Sequence, residues 1–169
     1  MVTIRSATPQ DIHSLSKKLL AMFENHGSQI YQDNVAKFGI PDEYVKKAFS
    51  QEAMIEATTS AQAIFYVALE EREILGFAET VKNDANTVEL DRIIVFPENA
   101  GKGVGTELLI KAIEDQKRRG YTAMVVRVGK EEARAREFYE KNGFSRHREA
   151  EVQTPWGRKL SLVTYRIDI

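Results

Sequence analysis

The stretch Val88–Glu114, VELDRIIVFPENAGKGVGTELLIKAIE, decides how the chain is read. It begins as a hydrophobic strand ending in Val95-Phe96-Pro97 and passes through the loop Glu98-Asn99-Ala100-Gly101-Lys102-Gly103-Val104-Gly105. It then enters a helix on which Val104, Leu108, Leu109, Ala112 and Ile113 form one apolar stripe. Glycines at 101, 103 and 105 strip the loop of side chains. The first amides of a helix have no intrahelical acceptor and lie at the positive end of its dipole, so this loop is an anion cradle, for phosphate above all. At the other end of the helix, Lys117-Arg118-Arg119 before Gly120 complements the dipole and needs no ligand to explain it.

The surrounding composition narrows the possibilities. The chain has 169 residues, 43% hydrophobic and 29% charged, with a formal net charge of −1. That is enough for one domain with a substantial core, and it offers no basic field for nucleic acid or an anionic membrane. The absence of cysteine excludes disulfides, thiolate metal sites and a cysteine nucleophile. His13, His26 and His147 lack metal-ligand spacing, so no metal is expected. No apolar run approaches the ~20 residues of a membrane span, and Met1–Asp11 lacks the order of a secretory signal. A cytoplasmic location is the expectation.

Working outward, Val2–Arg5 alternates as a short strand, and Thr8-Pro9-Gln10-Asp11 starts a helix with Ile12, Leu15, Leu19 and Phe23 on one face. Residues to about 60 carry two further short helices, one from Pro41 with Tyr44, Val45 and Phe49 inward, the other near Gln51–Thr58. Ile64–Leu69 and Ile74–Val81 form a hairpin, and Thr87–Phe96 is the central strand. Within that strand Leu90, Ile93 and Ile94 break strict alternation, which predicts a bulge that re-aims either Glu89 or Asp91. After the glycine-loop helix come a strand at Tyr121–Val128, a helix at Glu131–Asn142 closed by Gly143, and a hairpin of Arg146–Gln153 with Leu160–Ile167 around Thr154-Pro155-Trp156-Gly157-Arg158. This order predicts an α/β (α+β) fold: a mixed, mostly antiparallel central sheet flanked by helices.

The loop fits neither a P-loop, which wants Gly-Lys-Ser/Thr, nor the G-x-G-x-x-G of a dinucleotide fold. ELDRIIVFPENAGKGVGTELL instead resembles the acyl-CoA signature of the Gcn5-related N-acetyltransferases, a strand ending V-x-P followed by [QR]-x-x-G-x-[GA]. EEARAREFYEKNGF resembles the family's next motif, N-x-x-A-x-x-F-Y-E-K-x-G-F, in the right order and separation. Two positions depart from the pattern. Ala100 stands for the usual Gln or Arg, leaving that contact to the backbone or Lys102, and Glu132 stands for the usual Asn.

Pyrophosphate would sit on the N–H groups of Gly101, Lys102, Gly103, Val104, Gly105 and Thr106, with the Lys102 charge beside them. The resemblance implies acetyl-CoA as cosubstrate, with its pantetheine arm along Ile93, Ile94 and Val95 where the sheet splays. A backbone N–H there would hold the oxyanion. Glu132 and Phe138 would flank the cofactor, and Tyr139 would protonate the leaving thiolate. Glu89, two residues from Asp91 and on the same face in a regular strand, holds the position of a general base in some family members; Glu79 is the reserve.

The expected reaction is direct transfer of an acetyl group to a primary amine of a small molecule or peptide. The alternative is a non-catalytic acyl-CoA-binding or sensing module. The expected division is one domain: acceptor-side helices to about 60, an acyl-CoA core over about 61–145, and a C-terminal hairpin over 146–169. The acidic and aromatic residues Glu24, Tyr31, Asp33, Asp42, Glu43 and Tyr44 would suit a cationic acceptor, and the hairpin carrying Trp156 would suit a homodimer contact.

Overall fold

The computed structural model describes residues 1–169. Strand β1 (Thr3–Ser6) precedes helix α1 (Pro9–Glu24), where Thr8 and Asp11 close a reciprocal capping box and Pro9 occupies the first turn. The expected stripe of Ile12, Leu15, Leu19 and Phe23 is buried. Then follow α2 (Gln29–Asn34), a 3-10 turn at Ala36–Phe38, α3 (Asp42–Ala48) and α4 (Gln51–Thr59). Helix α2 was not foreseen: its six residues, QIYQDN, carry no apolar stripe, and it is fixed by the Ser28 cap and one buried side chain, Ile30. Tyr44 corrects a second expectation. Val45 and Phe49 are buried, but Tyr44 is 37% exposed.

Strands β2 (Ala63–Glu70), β3 (Glu73–Lys82) and β4 (Thr87–Val95) pair antiparallel in succession. A 3-10 turn at Pro97–Asn99 and the glycine loop lead into α5 (Val104–Arg118), followed by β5 (Ala123–Gly129), α6 (Ala133–Lys141), β6 (Ser145–Gln153) and β7 (Lys159–Asp168). The seven strands form one sheet in the order β1-β2-β3-β4-β5-β7-β6, in which only β4 and β5 are parallel. Side chains on one face, among them Leu90 and Met124, pack with Leu108 and Leu109 of α5 and Tyr139 of α6. The other face, with Phe65, Phe77 and Ile94, packs with Ile12, Leu15 and Leu19 of α1 and Met54 of α4. Helices thus cover both faces of a mostly antiparallel sheet, the expected fold class.

Two irregularities shape the centre. Glu79 of β3 opposes Arg92 while Thr80 opposes Leu90, so Asp91 is the extra residue of a bulge. A bulge bends its strand and adds twist. Beyond it, β4 and β5 part: they are paired only through Thr87–Ala123, Val88–Met124 and Glu89–Val125. The outer edge of β4 at Ile93–Val95 faces a gap between two strands of one sheet. Lys18 of α1 braces the end of β4, its Nζ donating to the Ile74 carbonyl at 3.0 Å and lying 4.3 Å from the centre of the Phe96 ring.

Candidate active site

The glycine loop has the geometry its sequence implies. Gly101 and Gly103 have φ of 77° and 80°, and a Cβ at either would meet nothing within 4 Å. Glycine is used there for backbone conformation, not for packing. Gly105 is different: a Cβ would make ordinary contacts, 3.5 Å from Val95 Cγ2 and 3.8 Å from Phe138 Cζ, between the β4 end and α6. No backbone carbonyl accepts from the N–H groups of Gly101, Lys102, Gly103, Val104, Gly105 or Thr106; bonding resumes at Glu107, which donates to the Gly103 carbonyl at 3.1 Å. A row of free donors therefore lies at the head of α5.

Beside this loop a cavity of about 660 Å³ runs through the gap between β4 and β5 and on to the N-terminal helices. Ile93, Ile94, Val95, Gly105, Glu132, Phe138 and Tyr139 line it. Gly101, Lys102, Gly103, Val104 and Thr106 lie outside its wall, at the loop and helix start. The unbonded amides and the parted strands fit an acyl-CoA: donors for a pyrophosphate at one end, an open strand edge for an extended amide-bearing arm at the other.

Tyr139 is 5% exposed, and its ring packs edge-on against Phe138 and Phe144 at centroid distances of 5.2 and 5.4 Å. Burial first, and the Glu132 carboxylate second, push its phenol above the usual range, so it stays neutral at working pH. The hydroxyls of Tyr66 and Tyr165 are bonded to Asp115 and Glu140. That of Tyr139 takes no protein partner, and Tyr139 lines the cavity. A neutral, unengaged O–H in a wall is a proton donor awaiting an acceptor.

Glu132 precedes the first turn of α6, which starts at Ala133 rather than Glu131. Its carboxylate turns back to accept from the Gly129 N–H at 3.0 Å and lies 3.6 Å from Lys37 Nζ. This carboxylate closes the end of β5 and ties it across the cavity to the N-terminal segment.

The bulge separates the strand carboxylates that a regular β4 would set side by side. Glu89 lies 3.0 Å from Arg127 and is absent from the cavity wall, whereas Asp91 lies 2.8 Å from Arg92 and both of these residues line it. Arg92 also lies 3.0 Å from Glu79. Desolvation raises the Glu79 carboxyl to about 7; Arg92 opposes the shift and Asp91 adds to it.

Much of the remaining wall comes from residues the sequence did not single out as site residues, chiefly Phe38 and Arg92, together with Trp156, whose hairpin was read only as suited to a homodimer contact. Trp156 is engaged within its own chain: Nε1 donates to the Phe38 carbonyl at 3.0 Å, and its ring meets Tyr44 edge-on at 5.5 Å. A lone tryptophan in a polar turn was the available signal. Of the acidic and aromatic stretch expected at the acceptor, only Asp33 and Tyr44 line the cavity. Asp42 is drawn off to the Tyr31 hydroxyl and lies 3.3 Å from His26.

Residues 28–144 match the family model described as Acetyltransferase (GNAT) family. Over 143 residues the chain is 26% identical to a spermidine N(1)-acetyltransferase of Thermoplasma acidophilum, covering 85% of this chain and 88% of that one. An N-acetyltransferase of Thermoplasma acidophilum solved in complex with coenzyme A superposes with a TM-score of 0.68 at 21% identity, over 97% of this chain and 98% of that one. A Salmonella typhimurium protein solved with its cofactor acetyl-CoA superposes at 0.70 and 23% identity, over 99% and 94%.

Proposed function

We propose that this chain, which belongs to the acetyltransferase (GNAT) family, moves an acetyl group from acetyl-CoA to a primary amine by direct attack in a ternary complex. One observation carries the reading: the unbonded amides at the head of α5 adjoin a gap in the sheet that leads to the unengaged Tyr139 hydroxyl. Acetyl-CoA, when bound, supplies the acetyl thioester. The amides of residues 101–106 hold its pyrophosphate with help from Lys102, and the β4 edge at Ile93–Val95 pairs with its pantetheine amides. A β4 N–H at that edge polarises the thioester carbonyl. Phe138 and Glu132 flank the arm.

An acceptor amine, with a pKa about 10, arrives protonated and must lose a proton before attack. Neither Glu79 nor Glu89 lines the cavity, and each reaches it through an arginine of the wall, Arg92 or Arg127; Glu79 is the better-poised base because burial holds its carboxyl near 7, half ionised at neutral pH. Glu89, behind Arg127, is the second candidate and would act through water. As nitrogen bonds to the carbonyl carbon and the carbon–sulfur bond breaks, the nitrogen releases its second proton to solvent, and Tyr139 gives its proton to the sulfur and regains one from solvent.

Residues to about 60 then serve the acceptor, about 61–145 the acyl-CoA, and 146–169 close the site, as one domain. The acceptors in view are polyamines, amino sugars, amino acids and peptide N-termini. An amine panel with acetyl-CoA, read by free-thiol release, tests the assignment. A protein that binds acetyl-CoA but releases no thiol with any amine is a sensor, and the assignment fails.

A further inference from the structure

The acceptor end of the cavity is walled by rings. Phe23 and Phe49 stack at 5.3 Å, Tyr44 meets Trp156 at 5.5 Å, and Phe38 adds a further ring to the same lining. Two of the three carboxylates in that lining already have a cation beside them, one within the wall and one, Lys37, outside it. Asp91 lies 2.8 Å from Arg92, and Glu132 lies 3.6 Å from Lys37. Of the carboxylates in the wall, Asp33 alone has no cationic partner; it accepts from Gln29 at 2.8 Å.

This balance bears on which amine fits. A polyamine would carry several ammonium groups into a space with one uncommitted carboxylate, and each further charge would lose its hydration without a counterion. An acceptor with a single nitrogen and an apolar body needs only one charge handled, and that charge is lost before attack. Its body gains from burial against rings whose positions are already set. Trp156 is fixed by its bond to the Phe38 carbonyl, so little ordering cost falls on that ring when the ligand arrives.

We propose that the acceptor is a monoamine with an apolar, ring-bearing body, of the arylalkylamine type, lying against Phe38, Tyr44, Phe49 and Trp156. This rests on the acetyl-transfer reading above and narrows it to a substrate class. It also separates the chain from what the Thermoplasma acidophilum relative's name states, acetylation of spermidine.

The test compares 2-phenylethylamine and tryptamine with spermidine at pH 8, each with saturating acetyl-CoA, reading thiol release. The expected kcat/KM for the arylalkylamines exceeds that for spermidine by at least about tenfold, the scale on which apolar pockets discriminate. Trp156→Ala and Tyr44→Ala should each raise the KM for 2-phenylethylamine about tenfold, with the KM for acetyl-CoA within about twofold of the parent. Tyr44 is 37% exposed, so its removal leaves the core intact should the tryptophan variant fold poorly. Equal or better use of spermidine overturns the inference and leaves the acetyltransferase standing, as does an unmoved arylalkylamine KM in Tyr44→Ala. No thiol release with any amine, beside a retained thermal shift with acetyl-CoA, overturns both.

Discussion

Glu79 lies 3.0 Å from the Arg92 guanidinium, and burial nevertheless lifts its carboxyl to about 7. The cation recovers only part of what desolvation costs the carboxylate. If Glu79 takes the amine proton, kcat/KM falls below pH 7 as the carboxylate is protonated. Glu79→Gln should remove that acid limb and lower the plateau about 100-fold, while Glu89→Gln should preserve the limb. Rates from pH 5.5 to 9 decide; a limb near 7 that survives in Glu79→Gln removes Glu79 as the base.

The same group should shape stability. Its folded pKa lies above its unfolded value of 4.5, so the folded state holds the proton more tightly between about 4.5 and about 7. In that window the folded state binds more protons than the unfolded one, and stability falls as pH rises. Glu79→Gln should therefore be more stable than the parent at pH 8, by about 1–3 kcal/mol, with the gain gone by pH 4. Urea unfolding at the two pH values measures it; equal midpoints at pH 8 would falsify the assignment of a raised carboxyl.

Tyr139→Phe removes a hydroxyl that bonds to no protein group and keeps the ring between Phe138 and Phe144. The fold should be unaffected within about 0.5 kcal/mol, and the acetyl-CoA thermal shift should persist. Turnover should fall about 100-fold, the scale of one general acid. An unchanged kcat would assign the sulfur's proton to water.

The glycines of the loop should respond differently to alanine. Gly103→Ala forces a side chain into φ of 80°, costing about 1 kcal/mol and disturbing the cap of α5. Gly105→Ala meets only ordinary contacts at 3.5 and 3.8 Å, so the fold should hold. Its methyl would nonetheless stand in the cavity wall, and the KM for acetyl-CoA should rise about tenfold. Thermal unfolding and acetyl-CoA saturation curves separate the two effects.

What could be read in the sequence was local. The β4–loop–α5 unit is encoded in consecutive residues, because strand, glycine turn and helix stripe each depend on near neighbours. The α1 cap is likewise a four-residue statement, Thr8 to Asp11. Even the bulge that parts Glu89 from Asp91 showed as broken alternation, though not that the two would go to different arginines. The ring-lined end of the cavity was invisible for the opposite reason. Trp156 and Phe38 meet across 118 residues of chain, and no periodicity in either segment records the other. Tyr44 was misplaced on the same account: helical spacing put it inward, and the cavity it borders only exists once a distant hairpin has arrived.

Strand β7 follows every other element in the chain, yet it lies inside the sheet, between β5 and β6. A ribosome therefore releases the glycine loop and α5 well before the turn bearing Trp156 and the strand that secures it. Early in synthesis the nascent chain can present the glycine loop but not the ring wall, and the inner edge of β5 stays open to stray pairing. A cavity wall built from segments so far apart in the chain thus carries a hazard in time, one that a burst of refolding from denaturant would register as delayed recovery of the Trp156 environment.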